Sequence, residues 1–582
     1  MPNNHKFFFN YQDILTIIFF INIFIFLTNK NTYTLIVLIV SFMLFIISII
    51  YNLRQNKRIN FEDINLEWGK PSSKKIKDIS KIKSFFDIFL KDTNDFVVDD
   101  LTWMSLDMDK IFEKINKTQS FYGSQLLYYL LRTPKLEEKE IYKRNNIIEK
   151  LRNDKNLTIM IQYYIKLYNS QGNSILFDFL WKNSYFYKQK NYYVYVFLST
   201  SVIVFTILTL INTQKWIIFL VINIIINGFL YTKSKQLIES YINIISQINN
   251  LIFCAKKLSN LNVNSIFNEY FDLNNTIESL NGFEKYTKKL LVNNNIYRIS
   301  MINDALVIFE IIKLILLREI ILFHRCWTKI ITFIEQIKKL YIEIAIIDSF
   351  CAIASFKDSL NYFCTPKFLF ENNIYINCSQ LYHPLLKNPV PYSFELNKKG
   401  FLITGSNASG KSTFIKAVGI NALFSQVFGF SLAKEYSANI FKIFSVINLS
   451  DDIMNNESFF FRESKAIKNI INNLDNNKKV LCLLDEVFKG TNSHDRINTA
   501  KSLLKYLFTK NVCCIVSTHD YELTILLNNY FENYYFDEEI IDDKIKYNYK
   551  LKKGVASRST VFHILKLLDY PEEIISELDI NS

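Results

Sequence analysis

Residues 400–418 read Gly-Phe-Leu-Ile-Thr-Gly-Ser-Asn-Ala-Ser-Gly-Lys-Ser-Thr-Phe-Ile-Lys-Ala-Val. An apolar run, Gly400 to Thr404, leads into a loop, and a helix-forming run follows from Thr413. The loop itself, Gly405-Ser406-Asn407-Ala408-Ser409-Gly410-Lys411-Ser412, fits GxxxxGK[ST]. Glycines let successive backbone N–H groups turn inward as a nest for an anion, and a helix starting at once adds the positive end of its dipole. Lys411 is placed to reach terminal phosphates and the Ser412 hydroxyl to ligate Mg2+. Strand, loop and helix in this order are the context the pattern requires. They predict an α/β P-loop fold that binds ATP with Mg2+ through residues 405–413, Thr413 included.

Two strand ends downstream supply the partners such a loop needs. Val480-Leu481-Cys482-Leu483-Leu484-Asp485-Glu486 is a buried-strand pattern ending in two carboxylates. It is expected beside the loop strand, with Asp485 holding Mg2+ and Glu486 orienting or deprotonating the attacking water. Cys513-Cys514-Ile515-Val516-Ser517-Thr518-His519-Asp520 is an apolar strand ending in a histidine. His519 is expected at the same carboxyl edge, within reach of a γ-phosphate oxygen.

With these residues in hand, the sequence resembles the MutS family of ABC-type ATPases. The resemblance takes in His383-Pro384-Leu385-Leu386 and Phe394-Glu395-Leu396 before the loop, Asp485 to Asn492, and Ser517 to Leu523. Asp451-Asp452 with Ser458-Phe459-Phe460-Phe461-Arg462-Glu463 looks like the signature that reaches the nucleotide of the opposite subunit. That implies a dimer, most simply a homodimer, with Ser458 and Glu463 acting in trans. Tyr549-Lys550-Leu551 with Gly554 to Ser559 looks like the C-terminal segment that carries an adenine-stacking side chain, here Tyr549. Upstream, Asp99 to Trp103, Thr118-Gln119-Ser120 with Gly123, Leu130 to Pro134 and Arg144 resemble the start of the family's helical core. Asn456, Phe459 and Arg496 depart from the residues usual there, which bears on the trans contact. The N-terminal region carries no Phe-x-Glu wedge motif.

Its place is taken by grease. Four runs lack any charge: 14–29, 31–53, 191–214 and 216–232. A membrane-crossing helix needs about 20 apolar residues, so the runs read as four spans in two hairpins. Arg54, Lys57 and Arg58 follow the first hairpin and Lys233 and Lys235 the second, against one lysine at each tip, Lys30 and Lys215. The positive-inside rule then places the N-terminus, the core and the ATPase part in the cytoplasm. Residues 306–323 carry Glu310, Lys313, Arg318 and Glu319 and read as a long soluble helix, since such charges are costly in lipid.

The expected organisation is a transmembrane hairpin at 1–53, a basic juxtamembrane linker at 54–83 suited to anionic lipid, and a first helical core part at 84–190. A second hairpin at 191–232, long lever helices at 233–365 and the ATPase part at 366–582 complete it. The 582 residues, 49% of them hydrophobic and 21% charged, exclude a disordered chain. Eight cysteines without a CxxC pair exclude a zinc knuckle. The net charge of +13 suits a polyanion, and lipid-facing lysines account for it equally well. The functional expectation is a membrane-anchored MutS-like ATPase whose closure acts on DNA, mismatched or branched. The alternative is a mechanochemical membrane ATPase with no DNA role.

Overall fold

The structure is a computed structural model. It describes residues 31–72, 78–92, 95–169, 174–182, 192–283, 312–370, 373–406, 409–447, 459–474, 478–510, 512–541 and 544–555, with isolated positions 21, 22, 25, 28, 29, 287, 570 and 571. Most of the first predicted span, 14–29, lies outside them.

From Lys367 onward the chain is built on strands, and before it on helices. A six-stranded sheet carries the phosphate loop. Its strands are β4 (Gly400–Thr404), β6 (Phe441–Val446), β7 (Lys479–Asp485), β8 (Cys513–Ser517), β9 (Phe531–Ile541) and β10 (Lys544–Lys553), in the order β10-β9-β4-β8-β7-β6. All neighbours run parallel except β9 and β10. A smaller sheet, β1 (Lys367–Phe368), β2 (Tyr375–Leu381), β3 (Tyr392–Asn397) and β5 (Glu435–Ala438), has the order β1-β5-β2-β3.

The strand β7 was expected beside β4. It is one place removed. β8, buried at all five residues, lies between, pairing Val516 with Leu402 on one side and Leu484 on the other. Strand alternation then divides the sheet's two faces. Phe401, Ile403, Leu481, Leu483 and Ile515 enter the large core shared with the helices, while Leu402, Cys482, Leu484, Cys514 and Val516 enter a second core. Helix Lys411–Phe428 is buried along almost its whole length in the first.

The upstream helices join that same core. Helix Ile334–Lys357 runs through it, and two buried ionic groups fix its register. Asp348, fully buried, accepts from the amides of Gln119 at 2.9 Å and Ser120 at 2.8 Å. Gly123 is required there, because a Cβ would stand 2.3 Å from an Asp348 oxygen. Lys357, also fully buried, meets Glu149 at 2.5 Å and Asn145 at 2.9 Å. A charge left without such partners is strongly destabilising.

Among the described residues two helices are long and apolar enough to cross a membrane, Tyr192–Ile211 and Thr213–Lys235, where four spans were expected over the whole chain. Only 11% and 17% of their apolar windows is covered by protein. The second is the start of a 48-residue helix, Thr213–Asn260. Its later turns bury Ile244, Ile245, Ile248 and Ile252 in the core.

The run 31–53 instead belongs to helix Thr32–Glu67, capped by the Asn31 side chain. This helix continues past Arg54, Lys57 and Arg58, so residues 54–67 of the expected basic segment are helical. Trp68, read as part of the linker, is buried and donates its indole N–H to Asp358 at 2.7 Å.

Of the long helix expected at 306–323, residues 306–311 lie outside the described set. The rest is broken at Leu317, which has a left-handed backbone, and lies against the hairpin. Asn227 donates to the Ile315 carbonyl at 2.6 Å, and Tyr231 to Glu319 at 2.8 Å. Neighbouring polar groups thus shelter the charge that sequence reading took as a sign of solvent.

Candidate functional site

The carboxyl edge of the parallel sheet gathers the predicted residues. β4 ends at Thr404, and the loop turns on Gly405 and Gly410, whose φ angles are +139° and +107°. Side chains rarely adopt such angles, and a Cβ on Gly405 would also sit 3.0 Å from the Phe536 carbonyl. The loop is closed by Ser409, whose hydroxyl donates to the Ser406 carbonyl at 2.8 Å. Asn407 and Ala408 lie outside the described residues. Lys411 is buried, donates to the Gly405 carbonyl and to Ser406 O at 2.8 Å, and lies 3.4 Å from His519 Nε2. Thr413 sits in the first turn of the helix.

Although β8 intervenes, the β7 carboxylate reaches the loop. Ser412 Oγ donates to Asp485 Oδ2 at 2.7 Å, and the Ser517 hydroxyl holds the other Asp485 oxygen. A hydroxyl and a carboxylate so placed are the hard oxygen donors that Mg2+ takes. This pair is the test of fit for the metal, and the residues meet it.

Glu486 follows in a left-handed backbone, φ +52°, its amide donating to the Ser517 carbonyl at 3.1 Å. Its Oε1 lies 2.7 Å from His519 Nε2 and its Oε2 2.5 Å from Lys489 Nζ. Partial burial pushes the carboxyl up. Lys489 and His519 outweigh that, so its pKa lies below the ordinary glutamate value. The carboxylate is therefore ionised at neutral pH, as a proton acceptor must be. Sequence reading set His519 toward phosphate; here it is engaged with Glu486. Lys489 was missed, and its signal was available: three residues after Glu486, in the same turn.

A protein-family comparison matches residues 401–580 to MutS domain V. Curated relatives match more of the chain. A DNA mismatch repair protein MutS of Petrotoga mobilis is 30% identical over 335 residues, 55% of this chain and 40% of that protein. Those of Rickettsia canadensis and Lactobacillus acidophilus are 30% identical over 259 residues and 28% over 336, covering 42% and 55% of this chain and 28% and 39% of the relatives. The chain belongs to the MutS family. It covers less than half the length of these relatives. The longer alignments exceed the stretch from 401 to the C-terminus, so the likeness extends into the upstream helices.

The residues singled out by family resemblance fare unequally. Tyr549 lies at a bulge between Tyr547 and Leu551 in β10, with φ +54°. Its ring edge would stand 3.2 Å from a Cβ on Gly410, so the side chain borders the phosphate loop, 41% exposed. Ser458 lies outside the described residues.

Glu463, expected to act in trans, makes its contact within its own chain. It is 2% exposed, and its Oε1 accepts from the Phe488 amide of its own chain at 2.6 Å. It stands on the inward face of helix Phe459–Asn472, beside Ala466 and Ile467, which enter the second core. Burial pushes its carboxyl up to about 7 despite the Phe488 amide. Arg496, where the family resemblance leads one to expect glycine, clamps Asp520 through Nε at 2.9 Å and Nη2 at 2.6 Å, securing the segment that carries His519.

Proposed function

We propose that this MutS-family chain is an ATPase of the ABC/MutS P-loop type, moored to a membrane by the 192–235 hairpin. Its nucleotide-driven closure of a homodimer would act on DNA. The observation that carries the reading is the convergence, at one sheet edge, of Lys411, the Ser412–Asp485 pair and Glu486 held by His519 and Lys489.

In this reading the amides of the 405–413 loop and Lys411 bind the phosphates of ATP, and Tyr549 borders the base. Ser412 and Asp485 hold Mg2+, which when bound offsets charge on the phosphate oxygens. Glu486, ionised and aimed by its two partners, orients a water and takes its proton. His519, between Glu486 and Lys411, links the base to the phosphate end of the loop. Closure places Ser458 of one chain against the loop of the other.

The relatives are named DNA mismatch repair proteins, and the net charge of +13 suits a nucleic-acid partner. Filter binding in detergent tests this. Matched, mismatched and branched duplexes are titrated across salt, with ATPase rate as a second readout. Structure-selective retention and a changed rate support a DNA role. No retention and no rate change remove it.

A second reading has its own support. Thr213–Asn260 passes without a break from the apolar hairpin into the buried core. A stiff helix of that kind suits a mechanochemical ATPase that works on the bilayer or a membrane partner without DNA.

A further inference from the structure

Glu463 is a buried acid with no place in the mechanism above. Its Oε1 accepts from the Phe488 amide at 2.6 Å, and its Oε2 is buried without a hydrogen-bond partner among the described residues. A carboxyl group kept in the interior with half its capacity unused is costly, so its position calls for a reason.

The loop it grips supplies one. Glu486 and Phe488 both have left-handed backbones, φ +52° and +60°. For residues with a side chain this conformation is strained and persists only where neighbours enforce it. Two hydrogen bonds enforce it here. The Glu486 amide donates to Ser517 of β8, within the sheet, and the Phe488 amide donates to Glu463, on helix Phe459–Asn472. The same helix touches the loop again through the Phe460 and Phe488 rings, whose centroids are 5.8 Å apart. One side of the Glu486 turn is thus tied to the rigid sheet and the other to a helix.

We infer that Glu463 is a positioning residue for Glu486. Its carboxyl latches helix Phe459–Asn472 to the turn after β7, so displacement of that helix shifts the proton-accepting carboxylate. This rests on the ATPase reading and deepens it. Glu463 controls the turnover step from within its own chain, through the Phe488 amide.

The test uses the full-length protein in detergent with Mg2+ and ATP, and compares Glu463→Ala, Glu463→Gln and Glu463→Ala combined with Glu486→Gln. Losing the latch should lower kcat about ten-fold or more, leaving KM and binding of a fluorescent ATP analogue within about two-fold. Gln, which keeps an oxygen acceptor, should restore kcat to within about three-fold of wild type. In the double variant the Ala change should add nothing to the loss from Glu486→Gln, because both act through one group. Wild-type kcat in Glu463→Ala overturns the proposal. So does a joint fall in kcat, nucleotide affinity and melting temperature that Gln fails to rescue, and so does an additive double variant. A wild-type protein that hydrolyses no ATP defeats the ATPase reading itself, a result distinct from these.

Discussion

The nucleotide edge and the apolar hairpin are specified in opposite ways. At the edge, single atoms are placed: Ser412 Oγ lies 2.7 Å from Asp485, and Glu486 lies 2.7 Å from His519. In the hairpin almost any apolar residue would serve, and what distinguishes it is where the side chains face. Within the one helix Thr213–Asn260, Ile225 is 64% exposed and Ile248 fully buried. Chemistry demands identity at a position; a lipid-facing surface demands only composition. Substitutions should therefore be ruinous and local in the first region, and in the second should depend on which half of the helix they strike.

The largest effect is expected at the loop. Lys411→Ala removes the cation that meets the phosphates and should cut turnover by about 10²-fold or more, measured by phosphate release. Glu486→Gln should lower kcat by about 10²–10⁴-fold while ATP still binds, so that dimer accumulates in size-exclusion chromatography with Mg2+ and ATP. Turnover at the wild-type rate in the Glu486 variant would remove the general-base assignment.

The hairpin half of the comparison is sharpened by a matched pair. Ile248→Asp buries a lone charge in protein and should destabilise the fold by at least about 3 kcal/mol, read as thermal unfolding in detergent. Ile225→Asp should leave that unfolding and the ATPase rate unchanged. It should impair membrane retention under alkaline extraction, at about 2.5–3.5 kcal/mol for a charge at mid-span. Equal unfolding losses in both variants would mean that the 213–235 stretch is packed in protein and not in lipid.

The smallest expected effect is on pH dependence. Burial pushes the carboxyls of Glu343 and Glu463 up to about 7, above the value of 4.5 ordinary for an unfolded chain. Folding then favours their protonated forms. Their contribution is fully present below the unfolded value and is lost as pH rises through about 7. The melting temperature should fall from about pH 4.5 to about 7 and level off above, and Glu343→Gln with Glu463→Gln should flatten that slope. The same slope in the double variant would assign it to other groups.

What could be read in the sequence follows the same division. The loop, the Asp485-Glu486 strand end and His519 were legible because phosphate and metal chemistry fixes residue types in order. The place of β8 between β4 and β7 was not, since strand order is set by long-range pairing that no local run encodes. The inward face of Glu463 had a signal that went unread: Ala466, Ile467 and Ile470 follow it at three, four and seven residues, the spacing of one covered helix face.

The membrane expectation is met in part, by the two apolar helices of the 192–235 hairpin. Uncharged runs mark where lipid is tolerated, yet helix Thr32–Glu67 carries on through its arginines, and Lys313 and Glu319 are sheltered by packing beside the hairpin. Trp68 looked like a linker residue because its partner, Asp358, lies 290 positions away.

The central claim is that the edge bearing Lys411, Asp485 and Glu486 binds and cleaves ATP with Mg2+. The most direct measurement is steady-state phosphate release by the detergent-purified full-length protein, with and without Mg2+, beside Lys411→Ala. The account predicts Mg2+-dependent turnover that is lost in the variant. Absent turnover in the wild type, or equal turnover in the variant, would contradict it.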